Sequence, residues 1–410
     1  MNPTEKVKYI GGVQERGVQY DWHKIRKTMH KLGLIPKEYY DPCTAPLESA
    51  QWFVEVSERA VGKTTAWLLL GLIMHRMYGT VTVYARSRRD MIAPKNSISL
   101  YNIVLANQYI DAITNGEYNH ITYKSRKWYL CRINEAGEIV DTAPEYCTRM
   151  ISLDESADLK SSFNEPLADL FLFDEFIPVN MRMCVPNEFV YLVDVCSTVF
   201  RLRECCKVVL LANTIDRYNQ YFHDLEIFER VASTAVSESF THTTSGGTKV
   251  YFEMIGAPKV YRTKKDRWNR LFAGFDKPEL SAVTGAATWA VKCYQHIPDT
   301  DEGDEAETVH NRLYVYSNSK YIRLDIVYHS RLGYCIYCHW ATKCYPDSII
   351  LTTEQLQDER YIWGIGKHTK VGQYLLDMIA MHKVYFSAND VGAFFENYLI
   401  KCGVVTKNFL

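Results

Sequence analysis

Residues 51–86 hold the feature that most restricts how this chain folds. An apolar run of strand length, QWFVEV, leads into a tight turn, SERAVGKTT, then a long apolar segment without proline ending HRMY, then a second strand-like run, TVTVYAR. Strand, turn, helix and strand in that order read as a βαβ unit with parallel strands. The turn carries Gly62, Lys63 and Thr64, the closing half of a phosphate-binding signature in which Ser57 stands where the leading glycine is expected. In such a loop, backbone N–H groups face phosphates at a helix N-terminus. Lys63 is then expected to reach the β and γ oxygens and Thr64 to take a Mg2+ position. Ser57, Glu58, Arg59, Ala60, Val61, Gly62 and Thr65 complete the expected nucleotide contact, with Ser57 weakening only the hinge. A short Gly-Lys-Thr match also precedes ordinary core helices, so the flanking strand and helix decide the reading.

At 410 residues and 47% hydrophobic composition, the chain has the length and apolar content for two or three domains with their own cores. Its net charge of -1 gives no bulk attraction to nucleic acid, so contact with DNA has to come from local patches. No N-terminal secretion pattern is present, and the 12 cysteines read as reduced cytoplasmic thiols. Apolar runs such as residues 66–74 fall short of the roughly 20 residues of a membrane span, so a soluble protein is expected. Cys335, Cys338, His339 and Cys344 have the donor types for zinc. They lie in a stretch that alternates as a strand does, which points the donors apart and argues against a metal site.

The expected organisation is an extension over 1–49, a nucleotide-binding core over 50–233, a linker region over 234–285 signalled by THTTSGGTK, and a β-rich C-terminal domain over 286–410. Within the core, residues 120–140 read as two strand-like runs forming an inserted hairpin. Residues 167–176, LADLFLFDEF, read as a strand ending in paired acids, 187–203 as a helix, and 206–214, CKVVLLANT, as another buried strand.

Those elements supply a reaction. Asp174, at the tip of its strand, is expected to hold Mg2+ through water, and Glu175 to polarise the attacking water. Asn213 ends the third strand, where ligands of open parallel sheets bind, and is expected to sense hydrolysis. Arg201 and Arg203 follow on the helix before that strand, and a cation there neutralises charge in the transition state. The plainer alternatives are solvated acids, a turn-forming asparagine and a charged helix face.

Taken together, FDEFI (173–177), PNE (186–188), STVFRLRE (197–204) and VVLLANTI (208–215) resemble the DNA encapsidation ATPases of small short-tailed bacteriophages. The resemblance implies an α/β P-loop NTPase of the additional-strand (ASCE) type, a parallel sheet flanked by helices, followed by a linker region and a smaller RNase H-like domain without nuclease acids. It implies ATP and Mg2+ as cofactors. As partners it implies double-stranded DNA, further copies of the chain in a closed ring expected as a pentamer, and the portal of the procapsid; a packaging RNA stays open and no membrane is involved. The implied location is the cytoplasm of an infected bacterium, docked transiently on the procapsid. By position, Arg201 matches the finger that enters a neighbouring subunit's site, and Arg59 a loop arginine used as a sensor. Arg86, Arg89 and Lys160 match further intersubunit cations, while Asn180 and Arg182 fall where the pore is lined for DNA. Two other readings stay open: a small-molecule kinase, and a nucleotide-binding structural protein of the portal that does not turn ATP over.

Overall fold

The computed structural model describes residues 8–10, 13–15, 19–36, 39–57, 61–155, 165–177, 185, 187–201, 203–213, 219–256, 294–297, 306–317, 319–354 and 359–404. The chain forms two compact units. The first comprises Met1–Val179, Glu188–Ile215 and Leu225–Ala290, and the second Asn180–Asn187, Asp216–Asp224 and Val291–Leu410.

After a short two-stranded ribbon, β1 (Lys8–Ile10) with β2 (Val13–Glu15), the first unit opens with helix α1 (Trp22–Lys31). The Asp21 side chain caps it by accepting from the Lys24 N–H at 2.9 Å. Its sheet follows: β3 (Trp52–Ser57), β4 (Val81–Arg86), β5 (His120–Lys124), β6 (Lys127–Ile133), β7 (Ile139–Ser152), β8 (Ala168–Asp174), β9 (Lys207–Asn213), β10 (Ser239–Thr243) and β11 (Lys249–Ile255). The spatial order is β10-β11-β3-β9-β8-β4-β7-β6-β5. From β11 to β7 every neighbouring pair is parallel, and the two edges are antiparallel hairpins. The central strands β8 and β9 are buried on both faces, which is why they read as unbroken apolar runs.

Helix α2 (Lys63–Tyr78) is buried along most of its length, so its sequence is apolar all round. Gly71 lets it lie directly on the sheet: a Cβ there would sit 2.3 Å from Thr82 Oγ1. Helix α1 presents Trp22, Ile25 and Met29 to the same core. Helix α3 (Glu188–Phe200) covers the sheet next to β8 and ends at Arg201, whose φ of 43° breaks the turn.

Three expectations are corrected here. Residues 239–255 are not linker: β11 pairs in parallel with β3 from Val250–Trp52 to Ile255–Ser57, and the Thr/Gly-rich stretch is the hairpin turn. Part of the N-terminal extension belongs to the core, since Leu34, Tyr40, Cys43, Ala45 and Leu47 are buried in the cluster that also holds Phe53 and Trp67. The inserted hairpin is three strands, turned at Ser125–Arg126, where both residues have positive φ.

The second unit holds a six-stranded sheet: β12 (Ala306–Ser317), β13 (Lys320–His329), β14 (Gly333–Ala341), β15 (Ile349–Thr352), β16 (Tyr361–Trp363) and β17 (Val384–Phe386), in the order β16-β15-β12-β13-β14-β17. β12, β13 and β14 are antiparallel, and β15 and β16 run parallel to β12, which is the RNase H-like arrangement. Helices α4 (Lys370–Ala380) and α5 (Asn389–Lys401) contribute Leu375, Met378, Phe394 and Phe395 to its core. Asp325 pairs with Arg323 and His339, each at 2.9 Å, and is held below its usual range; burial alone would raise it, and the His339 and Arg323 hydrogen bonds outweigh that. Its charge is thereby committed to the protein. Among the zinc-type donors, Cys335 donates to the Val327 carbonyl, Cys338 is buried in the core, and His339 is engaged with Asp325.

Candidate active site

The order β3-β9-β8-β4 places one strand between the one that feeds the phosphate loop and the one that ends in paired acids. The pairing register puts Asn213 beside Ser57 and Leu211 beside Asp174, so Ser57, Asn213 and Asp174 emerge on one edge of the sheet. A cavity of about 350 Å³ opens there, lined by Val61, Gly62, Lys63, Thr64, Thr65, Ile103, Asp174, Glu175, Ala212 and Asn213.

Gly62 is left-handed, with φ 89°, and starts α2. Glycine is required twice over, because a Cβ would also lie 2.7 Å from Tyr39 Cδ1. Ser57 is the last residue of β3, in extended backbone, so the strand runs on to a position where the signature expects glycine. Its hydroxyl accepts from the Lys63 ammonium. Burial pulls the Lys63 pKa down to about 8 against the attraction of Asp174, Glu55 and Glu175. Ser57 is therefore a partner of the lysine as well as a hinge.

Around the acids, Thr64 Oγ1 donates to Asp174 Oδ1 at 3.2 Å. The other Asp174 oxygen, Oδ2, accepts from the Tyr84 hydroxyl at 2.7 Å and from Arg86 Nη1 at 3.2 Å. Arg86 Nη2 donates to Glu175 Oε2, and its buried Nε has no hydrogen-bond partner among the described residues. Glu175 has φ 57°, a left-handed conformation that costs a non-glycine residue about 1–2 kcal/mol. A hydroxyl and a carboxylate facing each other are hard oxygen donors that fit Mg2+.

The expected residues divide as follows. Lys63, Thr64, Thr65, Val61, Gly62, Asp174, Glu175 and Asn213 come together around the cavity, with Ser57 beneath Lys63. Arg86, expected at a subunit boundary, pairs within its own chain with both carboxylates, because β4 ends next to β8. Arg89 pairs with Glu155 at 3.1 Å and lines a different recess with Arg126 and Asp154. Arg201 does not line the cavity of its own chain. Arg203 is structural: it is buried, its guanidinium lies 3.3 Å from buried Asp169, and it donates to the carbonyls of Pro166, Ala168 and Val199. Glu58, Arg59, Ala60, Lys160, Asn180 and Arg182 lie outside the described residues.

Residues that the sequence reading passed over also build the site. The Tyr40 N–H donates to the Val61 carbonyl at 3.0 Å, tying the N-terminal segment to the phosphate loop. A largely apolar recess of about 250 Å³ adjoins Gly62 and Thr65, walled by Ile35, Pro36, Tyr39, Leu69 and Tyr109. Beneath the loop, Glu55 accepts from the Tyr40 hydroxyl at 2.6 Å and from Trp67 Nε1 at 2.7 Å. An acidic residue inside a strand that is otherwise apolar was the available signal.

Burial pushes Glu55 up to about 8, against the lowering effect of the Tyr40 hydrogen bond and helped by nearby Glu253. The folded protein thus keeps a proton on Glu55 over a range where the unfolded chain has released it. The stabilisation is complete below the ordinary value of 4.5 and is lost as pH rises toward about 8. Wild-type melting temperature is expected to fall between about pH 5 and about pH 8, and Glu55→Gln, which stays neutral, to flatten that slope. Parallel slopes in thermal melts of the two proteins would refute the assignment.

A phosphate loop, an acid pair and an interposed strand ending in a polar residue define an additional-strand P-loop NTPase fold. Two solved structures share it with this chain. The phi28 gp11 DNA packaging motor matches over 91% of this chain and 100% of its own, with TM-score 0.56 and 16% identity. The bacteriophage phi29 viral genome packaging motor assembly matches over 89% of this chain and 100% of its own, with TM-score 0.52 and 17% identity. No protein-family model matches the chain, and neither does any curated protein.

Proposed function

We propose that this chain is an ATP-hydrolysing motor that drives double-stranded viral DNA through a portal into a preformed capsid. The observation that carries the reading is the arrangement of Thr64, Asp174, Glu175 and Asn213 around one cavity at the carboxyl edge of the sheet. The likeness to packaging motors, one described as packaging DNA and one a viral genome, suggests the substrate.

In this reading Lys63 and the start of α2 bind the phosphates, and the apolar recess between Tyr39 and Tyr109 takes the base. Thr64 and Asp174 hold Mg2+, which neutralises phosphate charge when bound. Glu175 orients and polarises the water that attacks the terminal phosphorus. Asn213, between the loop and the acids, reports the outcome to β9. Arg201, outside its own cavity, completes the site of a neighbouring subunit in a closed ring, expected as a pentamer. Arg89 and Lys160 lie at the same boundary, and Asn180 and Arg182 grip the DNA backbone without regard to sequence. The work is done in the cytoplasm of an infected bacterium, on the procapsid.

Steady-state ATP hydrolysis measured against protein concentration, with and without double-stranded DNA, tests this. Turnover per subunit is expected to rise with assembly and respond to DNA. Arg201→Ala should abolish it, with partial recovery when that variant is mixed with Lys63→Ala. Hydrolysis indifferent to concentration, DNA and Arg201 would reject the ring motor.

A further inference from the structure

The strand β4 does more than fill the sheet. Its last turns carry Tyr84 and Arg86, whose side chains point the same way and meet both acids at the tip of neighbouring β8. Tyr84 is 4% exposed, so its hydroxyl is a buried donor aimed at one acceptor. Asp174 consequently has two distinct oxygens: Oδ2 is occupied by Tyr84 and Arg86, while Oδ1 faces Thr64. Glu175, in a strained left-handed conformation and half open to solvent, has one carboxylate oxygen fixed by Arg86.

We infer that Tyr84 and Arg86 are positioning residues that act within their own subunit, Tyr84 turning the Asp174 oxygen Oδ1 toward the metal side and Arg86 holding the Glu175 carboxylate for the attacking water. The inference rests on the ATPase reading of the site. Without Tyr84, Asp174 is free to rotate and a metal would lose an oriented oxygen donor; without Arg86, Glu175 loses its anchor. Donors behind a metal ligand set its affinity in this way.

The test uses the full-length protein and two readouts. The first is binding of a fluorescent non-hydrolysable ATP analogue titrated with Mg2+. Tyr84→Phe is expected to raise the Mg2+ concentration for half-maximal binding about tenfold, leaving binding without Mg2+ unchanged. The second is turnover. Arg86→Gln is expected to lower kcat by at least about tenfold, a larger loss than any shift in its Mg2+-dependent analogue binding, with partial rescue by Arg86→Lys. Arg86→Gln mixed with Lys63→Ala should show no recovery, in contrast to Arg201→Ala. An unchanged Mg2+ dependence in Tyr84→Phe would overturn the role of Tyr84, and recovery in the Arg86 mixture would place that arginine in trans. If Arg86→Gln fails to fold, the Tyr84→Phe titration still decides the metal-orienting claim. A wild type that never hydrolyses ATP sinks the motor reading, whereas the Mg2+ shift, read by binding alone, stands or falls independently.

Discussion

Glu175→Gln is expected to reduce ATP turnover by at least about 100-fold while leaving nucleotide binding in place, the range lost when a positioned general base is neutralised. In the proposed reading binding survives, because Lys63 and the start of α2 would contact the phosphates, while Thr64 keeps its hydrogen bond to Asp174 Oδ1, on the side away from Arg86. The substitution also removes the charge that pairs with Arg86, but the arginine keeps Asp174 at 3.2 Å. Single-turnover hydrolysis with a parallel binding titration separates the two quantities. Normal turnover in Glu175→Gln would show that another group handles the water and would favour the kinase or the passive nucleotide binder.

Two arginines two residues apart give the second large contrast. Arg203→Ala should destabilise the fold by about 3–5 kcal/mol, because it removes the guanidinium beside buried Asp169 and the donor to the carbonyls of Ala168 and Val199. Melting temperature is expected to fall on the order of 10 °C. Arg201→Ala, one residue past α3, should leave the melting temperature nearly unchanged and still abolish assembly-dependent turnover. Thermal melts of both variants check this. A stable Arg203→Ala would mean that Asp169 is satisfied without the guanidinium, with the Tyr20 hydroxyl and Cys206 among its donors.

Much of this was legible in the sequence because the site is local. Residues 51–86 contain a complete strand, loop and helix, and each wears its burial as an apolar run. The strand ending in Asp174 and that ending in Asn213 were readable for the same reason. What escaped depends on register and lateral order. That β4 lies beside β8, bringing Tyr84 and Arg86 to the acids, follows from a sheet order no single stretch encodes. The join of β11 to β3 was hidden by a turn that looks like a linker, since Gly-Gly between a serine and a threonine suits both. Tyr39 and Tyr40 were hidden by distance along the chain: their role is set by Gly62 and Val61, more than twenty residues on. Ser57 was legible as a departure, but its use as the Lys63 acceptor needed the folded loop.

The sheet also carries a mechanical meaning. Its parallel strands stop nearly level: Asp174 lies one residue past Phe173, which pairs with Leu210, Asn213 lies beside Ser57, and Ser57 beside Ile255. Neighbouring strand ends share a backbone ladder, so a shift of one is passed sideways to the next. The residues around the cavity are therefore joined as teeth of one comb rather than hung on separate loops.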